Sequence, residues 1–385
     1  MKILIASDSY IHQTNGVTNA VITLEQELRR RGQDVRILSL ANGNTSVRTE
    51  NACLIRSVPT ILYPDFRICH ARRDPLLDEL KAWKPDLIHL HTEGSVARLA
   101  YKIARAAHAP VVVTTHTDYA KFFFGRLSET VFIRGMAKLY GKLLYRRAAA
   151  VTVPSEKAAG LAMVRAAGDR VTVIPNGIPL ERFRRPVSAA ERSALLRQYG
   201  FTDHGCTLVT VARISWEKNL MEILRYFSKL LKTLPQAQLL IVGDGPDRRR
   251  LEKFVAGNGL SGQVRFTGRI DPGDVYRYYA AGDVFVSAST FETQGLTYLE
   301  ALACGLPMVC RDDPALRNVL ENGENGYTYQ SEQDFIDGIT RITRDARKWR
   351  EMHEKALKMS ENFGTASYAE QTLALYEQVL RLHSR

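Results

Sequence analysis

Two glutamates with seven residues between them, Glu292 and Glu300, lie in the segment ETQGLTYLE in the second half of the chain. The apolar run DVFVS just before this segment predicts a buried strand, and Thr297–Cys304 predicts a short helix that Gly305 and Pro307 end. Glu292 is then expected at the carboxyl end of a strand, and Glu300 about one turn into the helix. Paired carboxylates in such a corner can hold the hydroxyl groups of a ligand.

The loop between the two glutamates predicts a phosphate site. Gln294, Gly295 and Leu296 place backbone amides at the start of the predicted helix, where unpaired N–H groups and the helix dipole attract anions. A phosphate on these amides, with hydroxyl groups on the carboxylates, suits a sugar nucleotide. The spacing alone is better explained by two glutamates that are solvated or that cap the helix, with no role in binding. The small residues that follow Glu300 favour a site, because they let a ligand approach the backbone.

A basic pair, Arg213 and Lys218, follows another predicted strand in the segment VARISWEKNL. Positive charge at the carboxyl end of a strand can neutralise a diphosphate, whose departure requires cations where negative charge develops. A surface salt bridge of either residue with Glu217 is an equally simple interpretation.

Two glycine turns and one histidine complete the candidates. Gly243 opens a Gly-Asp-Gly-Pro turn, and Asn15-Gly16-Val17 follows the first strand; either turn can approach a phosphate or serve only steric needs. The early turn is not a Gly-x-Gly-x-x-Gly motif, which counts against a dehydrogenase. His116 closes the apolar strand VVVTT and can polarise a substrate hydroxyl or carbonyl, although strand-end histidines more often make ordinary hydrogen bonds.

Alternating strands and helices must position these side chains. Val17–Arg31 carries apolar residues at helical spacing and ends in arginines and a glycine, which is typical of a helix. The predicted strands are Ile3–Ala6, Val35–Leu40, Leu87–Leu90, Val111–Thr115, Thr207–Ala212, Gln238–Val242, Val264–Thr267, Asp283–Ser287 and Met308–Cys310. This order predicts an α/β fold of two doubly wound, Rossmann-like domains that face each other across a cleft. Ligands are expected beyond the carboxyl ends of the strands.

The composition is that of a globular chain with more than one core. The 385 residues, 45% apolar and 24% charged, exceed one ordinary domain. Five scattered cysteines form no Cys-x-x-Cys pair, which argues against a disulfide framework. The first residues lead straight into a strand without a signal peptide, and no apolar run is long enough to span a bilayer. These features predict a cytoplasmic protein, free or bound to the cytoplasmic face of a membrane.

The positive charge is concentrated in the first part of the chain. Residues 1–175 hold 25 Lys and Arg against 15 Asp and Glu, a net charge of +10, which leaves +2 of the total +12 for the rest. This asymmetry indicates a surface that faces an acidic partner. No nucleic-acid-binding motif accompanies the basic residues, and no metal-binding motif occurs, so neither nucleic acid nor a metal is expected.

The segment Lys121–Arg147 is the most basic stretch, and from Val131 it has a helical pattern. The basic face of this helix holds Arg134, Lys138, Lys142 and Arg146; its apolar face holds Phe132, Met136, Tyr140 and Leu143; and the aromatic residues Phe122, Phe123 and Phe124 precede it. Cations and insertable apolar area are what a helix on an anionic membrane surface requires. An ordinary surface helix that packs its apolar face on the sheet is equally compatible with the pattern.

Taken together, these motifs resemble the retaining glycosyltransferases of family 4, which have the GT-B fold. The resemblance rests on the Glu-x7-Glu segment, EALACGLPMV, VARISWEKN, IVGDGP, VIPNGI and the early NGV loop, and it covers almost the whole chain. It implies that residues 1–180 bind the acceptor and face a membrane, that residues 181–362 bind the nucleotide sugar, and that residues 363–385 form a helix returning to the first domain. Ile178–Ser188 is the expected linker.

The resemblance also implies roles for the matching residues. Glu292 would hold the donor sugar and Glu300 the ribose. Arg213 and Lys218 would hold the diphosphate, and His116 would contact the transferred sugar. The implied catalytic residues are His116, Glu292, Arg213 and Lys218, and donor binding adds Gly16, Val17, Asn176, Gly243, Gln294, Gly295, Leu296 and Glu300.

Two segments depart from the family pattern. Many members have Glu-x-Phe-Gly where this chain has Glu292-Thr293-Gln294-Gly295, and many have Gly-Gly where it has Asn15-Gly16. The form ETQGLTY is most similar to that of the bacterial diacylglycerol glucosyltransferases, which agrees with the basic helix. The resulting hypothesis is a peripheral enzyme on the inner face of the cell membrane. It would transfer glucose from UDP-glucose to diacylglycerol or a glycosyl-diacylglycerol with retention of configuration, and without a cofactor.

Three alternatives remain open at this stage. A soluble family member could use another sugar nucleotide and a polysaccharide or phosphosugar acceptor. A sugar-nucleotide epimerase shares the architecture but needs acid and base carboxylates on both faces of the sugar, and the first half shows no such motif. A non-catalytic lipid-binding scaffold is disfavoured by the intact Glu292, Glu300, Arg213 and Lys218.

Overall fold

A computed structural model describes residues 1–10, 15–60, 67–71, 73–118, 120–121 and 130–383. The chain divides into two compact units. Unit 1 comprises Met1–Gly177 and Thr365–Arg385, and unit 2 comprises Ile178–Gly364. The boundaries expected from the sequence, after residues 180 and 362, lie within three residues of these positions.

The strands of unit 1 are β1 Lys2–Ala6, β2 Asp34–Leu40, β3 Val47–Arg48, β4 Ala52–Ile55, β5 Val58–Pro59, β6 Arg67–Ile68, β7 Leu87–Leu90, β8 Val111–Thr114, β9 Ala150–Val153 and β10 Val171–Val173. Eight of them form a largely parallel sheet in the order β10-β9-β8-β7-β1-β2-β4-β3, in which β3 is antiparallel to β4. Within the described part of the chain, β5 and β6 pair with each other in a separate two-stranded sheet.

Helices cover both faces of this sheet. They are α1 Gly16–Arg30, α2 Pro75–Trp83, α3 Ser95–Ala107, α4 Val131–Tyr145 and α5 Glu156–Ala159, with a 3-10 segment at Val164–Arg170. Alternate residues of a strand point to opposite faces, so β1 contributes to two cores. Leu4 joins the core under α3, whereas Ile3 and Ile5 join the core under α1.

The strands of unit 2 are β11 Thr207–Val211, β12 Gln238–Val242, β13 Val264–Phe266, β14 Val284–Ser287, β15 Met308–Arg311 and β16 Gly326–Tyr329. They form a parallel sheet in the order β13-β12-β11-β14-β15-β16. The sheet is again buried on both faces: Val209 and Phe285 point into one core, and Leu208 and Val284 into the other.

The helices of unit 2 are α6 Leu180–Phe183, α7 Ala189–Gln198, α8 Leu220–Leu230, α9 Arg248–Gly257, α10 Val275–Ala281, α11 Leu296–Ala303, α12 Glu332–Arg344 and α13 Ala346–Ser360. Shorter 3-10 turns lie at Trp216–Lys218, Pro314–Leu316 and Glu361–Phe363. The chain then forms α14, Thr365–His383, which belongs to unit 1. Its residues Tyr368 and Tyr376 are buried in the same core as Ile3 and Ile5.

Every strand predicted from the sequence is present, with ends that differ by at most one residue. The expected linker, Ile178–Ser188, begins at the boundary between the two units, and it contains α6. Ile178 and Phe183 are apolar and pack into the core of unit 2, which holds this segment against the domain. Ser188 accepts a hydrogen bond from the backbone amide of Glu191 and so caps α7.

Candidate active site

The candidate residues of unit 2 lie at one edge of its sheet. The central strand β11 pairs in parallel with β12 on one side and with β14 on the other, so the loops after all three strands leave from the carboxyl edge. Arg213 and Lys218 follow β11, Gly243 follows β12, and Glu292 follows β14. The chain reverses its direction across the sheet between β11 and β14. Such a switch point opens a crevice for a ligand.

Lys218 and Glu292 form the central contact of this edge. The Nζ atom of Lys218 lies 2.5 Å from Oε1 of Glu292, which also accepts a hydrogen bond of 2.8 Å from the buried hydroxyl of Ser289. Nearby, the rings of Trp216 and Phe291 meet edge to face at 5.3 Å between centroids. The loops after β11 and β14 are therefore joined by an ion pair and by an aromatic contact. The alternative of a surface salt bridge with Glu217 does not describe Lys218, which pairs with Glu292.

The loop before α11 has the backbone that an anion site needs. Gly295 has φ of 78°, a left-handed conformation, and α11 begins at the next residue without a side-chain cap. A Cβ atom on Gly295 would lie 2.5 Å from Cδ2 of Tyr298 and 3.2 Å from Cγ of Glu292. Glycine is thus required both by the dihedral angle and by the close approach. Gln294 is buried beside it.

Glu300 lies on α11 and accepts a hydrogen bond of 2.7 Å from the hydroxyl of Tyr279 on α10. Burial raises the pKa of the Glu300 carboxyl from its ordinary 4.5 to about 7, and the Tyr279 hydrogen bond acts in the opposite direction. The carboxyl is therefore close to half ionised at neutral pH. Ligand hydroxyl groups that donate to it would favour the ionised form.

Gly243 and Arg213 lie at the ends of neighbouring strands. Gly243 has φ of 130°, and a Cβ atom on it would lie 2.0 Å from the carbonyl oxygen of Ala212. This position tolerates only glycine, and it brings the loop after β12 against the residue preceding Arg213. Arg213 itself is exposed.

Unit 1 has a corresponding switch point between β1 and β7. Asp8, which follows β1, accepts hydrogen bonds from the Ser95 hydroxyl at 2.8 Å and from the Val96 amide at 3.1 Å, at the start of α3. A Cβ atom on Gly94 would lie 2.5 Å from this carboxylate, so glycine makes room for it. These contacts fix the loop after β1 to the loop after β7.

The remaining donor-binding candidates of unit 1 lie near strand ends or a helix start. Gly16 is exposed and opens α1, and Val17 follows it half-buried. The helix is capped by Asn15, whose side chain accepts a hydrogen bond of 2.9 Å from the amide of Thr18. Asn176 is buried, close to the end of the continuous part of unit 1. Their donor-binding roles remain predictions.

His116 is buried and lies two residues beyond β8. Its Nε2 atom is 3.0 Å from Nδ1 of His91, and Nε2 of His91 is 3.2 Å from Nδ1 of His89. Burial lowers the pKa of His116 from 6.5 to about 4 and that of His89 to about 3, and the pKa of His91 is lowered well below its ordinary value. All three rings are therefore neutral at neutral pH.

The helix α4 exposes apolar side chains. Val131, Phe132, Met136, Leu139, Tyr140 and Leu143 have between 43% and 89% of their surface accessible. The helix packs on the unit through its other side, where Gly141 and Tyr145 are buried. A Cβ atom on Gly141 would lie 2.2 Å from the carbonyl oxygen of Met163, so this contact is close.

The packing of α4 differs from that of an ordinary surface helix. An ordinary surface helix would bury Phe132, Met136 and Leu143, and these three side chains are exposed. Arg134, Lys138, Lys142 and Arg146 are exposed as well. Phe122, Phe123 and Phe124 lie outside the described residues.

Sequence reasoning did not single out His89, His91, Glu93, Tyr279 or Ser289. Two of them had a usable signal: His89 lies inside the apolar strand LIHL and His91 directly after it, where polar residues need buried partners. Glu93 accepts a hydrogen bond of 2.7 Å from Thr115 next to His116. Tyr279 lies in an ordinary helical context, and only the fold brings it to Glu300. Ser289 is three residues from Glu292, but nothing in the loop sequence marks it as the partner of that carboxylate.

No group of three or more histidine, cysteine, aspartate or glutamate side chains within the described ranges is arranged to hold a metal ion. The residues expected to bind a nucleotide sugar lie together in unit 2: cations after β11, carboxylates on either side of Gly295 and the start of α11. These partners suit a diphosphate and sugar hydroxyl groups.

Models of two protein families match the chain. "Glycosyltransferase Family 4" matches residues 14–182, and "Glycosyl transferases group 1" matches residues 192–361. An alpha-monoglucosyldiacylglycerol synthase of Streptococcus pneumoniae is 34% identical over 94% of this chain and 84% of its own length. A synthase of the same name from Acholeplasma laidlawii is 28% identical over 98% of this chain and 96% of its own length.

Solved structures give the same fold. The Anabaena protein HepE, in complex with UDP-glucose, has a TM-score of 0.76 at 20% identity, covering 98% of this chain and all of that one. Sucrose-phosphate synthase from Thermosynechococcus elongatus has a TM-score of 0.77 at 22% identity, covering 99% of each chain. The expected GT-B fold is confirmed, and the chain belongs to the family 4 glycosyltransferases, as a hexosyltransferase.

Proposed function

We propose that this enzyme transfers glucose from UDP-glucose to diacylglycerol, or to a glycosyl-diacylglycerol, with retention of configuration. The reaction takes place at the inner face of the cell membrane, to which the protein binds peripherally. None of the helices described is long and apolar enough to cross a bilayer. The names of the two relatives given above support the donor sugar and the lipid acceptor.

The observation that carries the lipid acceptor is the exposed apolar face of α4. Phe132, Leu139 and Leu143 are each more than 60% accessible on a helix that also exposes four cations. Exposing this apolar area to water is unfavourable. Transfer of the side chains into the acyl boundary of a membrane is favourable. The cations attract anionic head groups, at about 1 kcal/mol each near the surface.

Helix α4 is also bonded to the switch point of unit 1. The hydroxyl of Tyr140 donates to the carbonyl oxygen of Glu93 at 3.2 Å, and that of Tyr145 donates to its carboxylate at 3.3 Å. Glu93 follows β7, whose loop carries His91. A lipid acceptor delivered along α4 would therefore arrive beside the residues expected to contact the transferred sugar.

The chemistry follows from the charges around Glu292. Its Oε1 atom is held by Lys218 and by Ser289, so the carboxylate is a neutralised, fixed group rather than an activated nucleophile. The leaving diphosphate would be stabilised by Arg213, Lys218 and the start of α11. It would then help to deprotonate the acceptor hydroxyl on the same face of the sugar, which gives retention without a glycosyl-enzyme.

The test is UDP release from UDP-glucose by the full chain, with liposomes that contain diacylglycerol, an anionic lipid, both or neither. The proposal predicts release that depends on both lipids and a new glycolipid on thin-layer chromatography. An α-linked product in its NMR spectrum would establish retention. UDP release with a soluble sugar or phosphosugar acceptor, but none with the liposomes, would overturn the lipid acceptor and leave the hexosyltransferase.

A further inference from the structure

A cavity of about 570 Å³ lies at the amino edge of the sheet of unit 1. It is bounded by the end of α3, the residues just before β8 and β9, the residues after α4 and the end of α14. The strand β8 has four residues, so roughly 13 Å of strand lies between the cavity and the carboxyl edge that holds His116. The cavity is therefore separate from the candidate active site.

The lining of the cavity is apolar at its base and basic at its rim. Four of the lining residues are buried and apolar: Ala104, Ala109, Val111 and Ala148. Three arginines are exposed: Arg105, Arg146 and Arg147. Among the described residues, no carboxylate lines the cavity and none forms an ion pair with these arginines. Like charges around one cavity repel each other, and a bound anion would relieve this repulsion.

Helices end at this cavity, and arginines there could serve only to neutralise the carbonyl ends of α3 and α4. At the end of α4, however, those carbonyl groups already have donors. Arg170 donates to the carbonyl oxygens of Tyr145 and Ala148, at 2.9 and 2.5 Å. The hydroxyl of Tyr101 donates to the carbonyl oxygen of Leu144 at 3.3 Å. The exposed arginines are not needed as caps of this helix.

The end of α3 is satisfied in the same way. Nε2 of His383, on α14, lies 2.9 Å from the carbonyl oxygen of His108. The guanidinium groups of Arg105, Arg146 and Arg147 make no hydrogen bond within the described part of the chain. All fifteen of their N–H donors are therefore available to a ligand.

The shape and chemistry of the cavity favour an organic phosphate ester. Guanidinium groups bind phosphate oxygens in a bidentate manner, and they hold them more strongly than neutral donors do. The buried apolar base suits the carbon skeleton of an ester rather than a bare inorganic ion. Leu143, about one turn before Arg146, is 62% exposed, so a lipid tail would have apolar surface beside the cavity.

We propose that this cavity binds the phosphate group of an organic phosphate ester through Arg105, Arg146 and Arg147. The ester is either the head group of a phospholipid or a soluble molecule, and the phosphate recognition is the same for both. The proposal does not depend on the donor or the acceptor assigned above, because no lining residue belongs to the candidate active site.

The test is calorimetry of the full chain, without UDP, with two probes that share a glycerol phosphate group. Glycerol 3-phosphate represents a soluble ester, and dihexanoylphosphatidylglycerol below its micellar concentration represents a phospholipid. The proposal predicts that one equivalent of at least one probe binds. Tighter binding of the phospholipid would identify a head-group site, and equal or tighter binding of glycerol 3-phosphate would identify a site for a soluble ester. Binding of neither would overturn the proposal.

Substitutions then locate the bound probe. Arg105→Gln and Arg147→Gln should each weaken its binding about tenfold, as expected for a lost charge-assisted hydrogen bond. Arg165→Gln is the matched control, because this arginine is exposed in the same unit and is not among the residues that line the cavity. The unfolding midpoint checks the fold of each variant, and the probe should raise it in the control as in the native enzyme. Equal weakening in the control, or undiminished binding in both cavity variants, would contradict the proposal.

Discussion

The Nζ atom of Lys218 lies 2.5 Å from Oε1 of Glu292, across the switch point between β11 and β14. The sequence assigned these residues to different ligand groups, the lysine to a diphosphate and the glutamate to sugar hydroxyls. In the structure each neutralises the other. The donor must therefore bind beside this ion pair or break it. Substitutions of Lys218 and of Glu292 should then change the affinity for UDP in opposite directions.

Glu292→Gln should strengthen UDP binding and lower turnover. It removes a negative charge near the expected diphosphate and the ion pair of Lys218, but it also replaces one acceptor oxygen for sugar hydroxyls by an amide donor. Lys218→Met should instead weaken UDP binding by roughly 10-fold to 100-fold, as expected for a lost charge-assisted hydrogen bond.

Calorimetry with UDP and turnover with UDP-glucose measure the two effects. The exposed Lys232→Met removes the same charge outside the site and should change neither quantity. Equal weakening of UDP binding by Glu292→Gln and Lys218→Met would contradict the opposed roles. Mass spectrometry of Glu292→Gln during turnover should detect no trapped glycosyl-enzyme.

Donor affinity should depend on pH through Glu300. The pKa of its carboxyl is raised to about 7, and the ionised form is the better acceptor for ribose hydroxyls. Affinity for UDP-glucose should therefore increase about tenfold between pH 6 and pH 8. Glu300→Gln should bind more weakly and lose this dependence, and an identical pH profile in that variant would refute the assignment.

The stability of the folded chain should also depend on the ionisation of Glu300. It should fall as the pH rises, whereas the affinity for UDP-glucose should increase. Below pH 4.5 the carboxyl is protonated in both states. Between pH 4.5 and 7 the unfolded chain ionises Glu300 while the folded chain keeps the proton, so the free energy of unfolding falls as the pH rises. The loss is about 3 kcal/mol at most. Urea titrations at pH 5 and pH 8 should show most of this loss in the native enzyme and none of it in Glu300→Gln.

Gly295→Ala should destabilise unit 2 by about 2 kcal/mol or more and reduce UDP affinity. Alanine is strained at φ of 78°, and its Cβ would overlap the ring of Tyr298. The matched control is Gly257→Ala at the end of α9, where a Cβ meets nothing within 4 Å. The control should leave affinity unchanged, with stability equal or higher by about 0.5–1 kcal/mol. Equal thermal shifts in both variants would be inconsistent with the close approach at Gly295.

Substitutions on α4 should separate membrane binding from donor chemistry. Replacing Phe132, Leu139 and Leu143 together by serine should abolish sedimentation with anionic liposomes and leave UDP affinity unchanged. Leu382→Ser, at an equally exposed leucine on α14, should sediment normally. Replacing Arg134, Lys138 and Lys142 by glutamine should weaken binding mainly at low salt. Normal sedimentation of the triple serine variant would remove the support that α4 gives to a lipid acceptor.

Much of the fold was predictable because the strands are short apolar runs that are bounded by glycines, prolines and helix-capping residues. The strands that begin between Thr207 and Met308 were predicted from such runs. Because the sheet is parallel, these strands place Arg213, Gly243 and Glu292 at the same edge. Ala52–Ile55, Ala150–Val153 and Val171–Val173 were missed, since short runs beside alanines or charged residues do not differ clearly from loops. The helix in the expected linker was missed for a related reason: only packing makes Leu180–Phe183 helical.

The sequence by itself determined the fold class, the family and the two glutamates around Gly295, because these depend on residue type and local spacing. Tertiary structure decided what no local pattern contains. It paired Lys218 with Glu292 over 74 positions, brought Tyr376 to His89 across 287 positions, and left the apolar side of α4 exposed. A sequence shows that a helix has an apolar face, but which face meets the core depends on the rest of the chain. The same holds for a buried carboxyl or imidazole, whose pKa is set by neighbours distant in sequence.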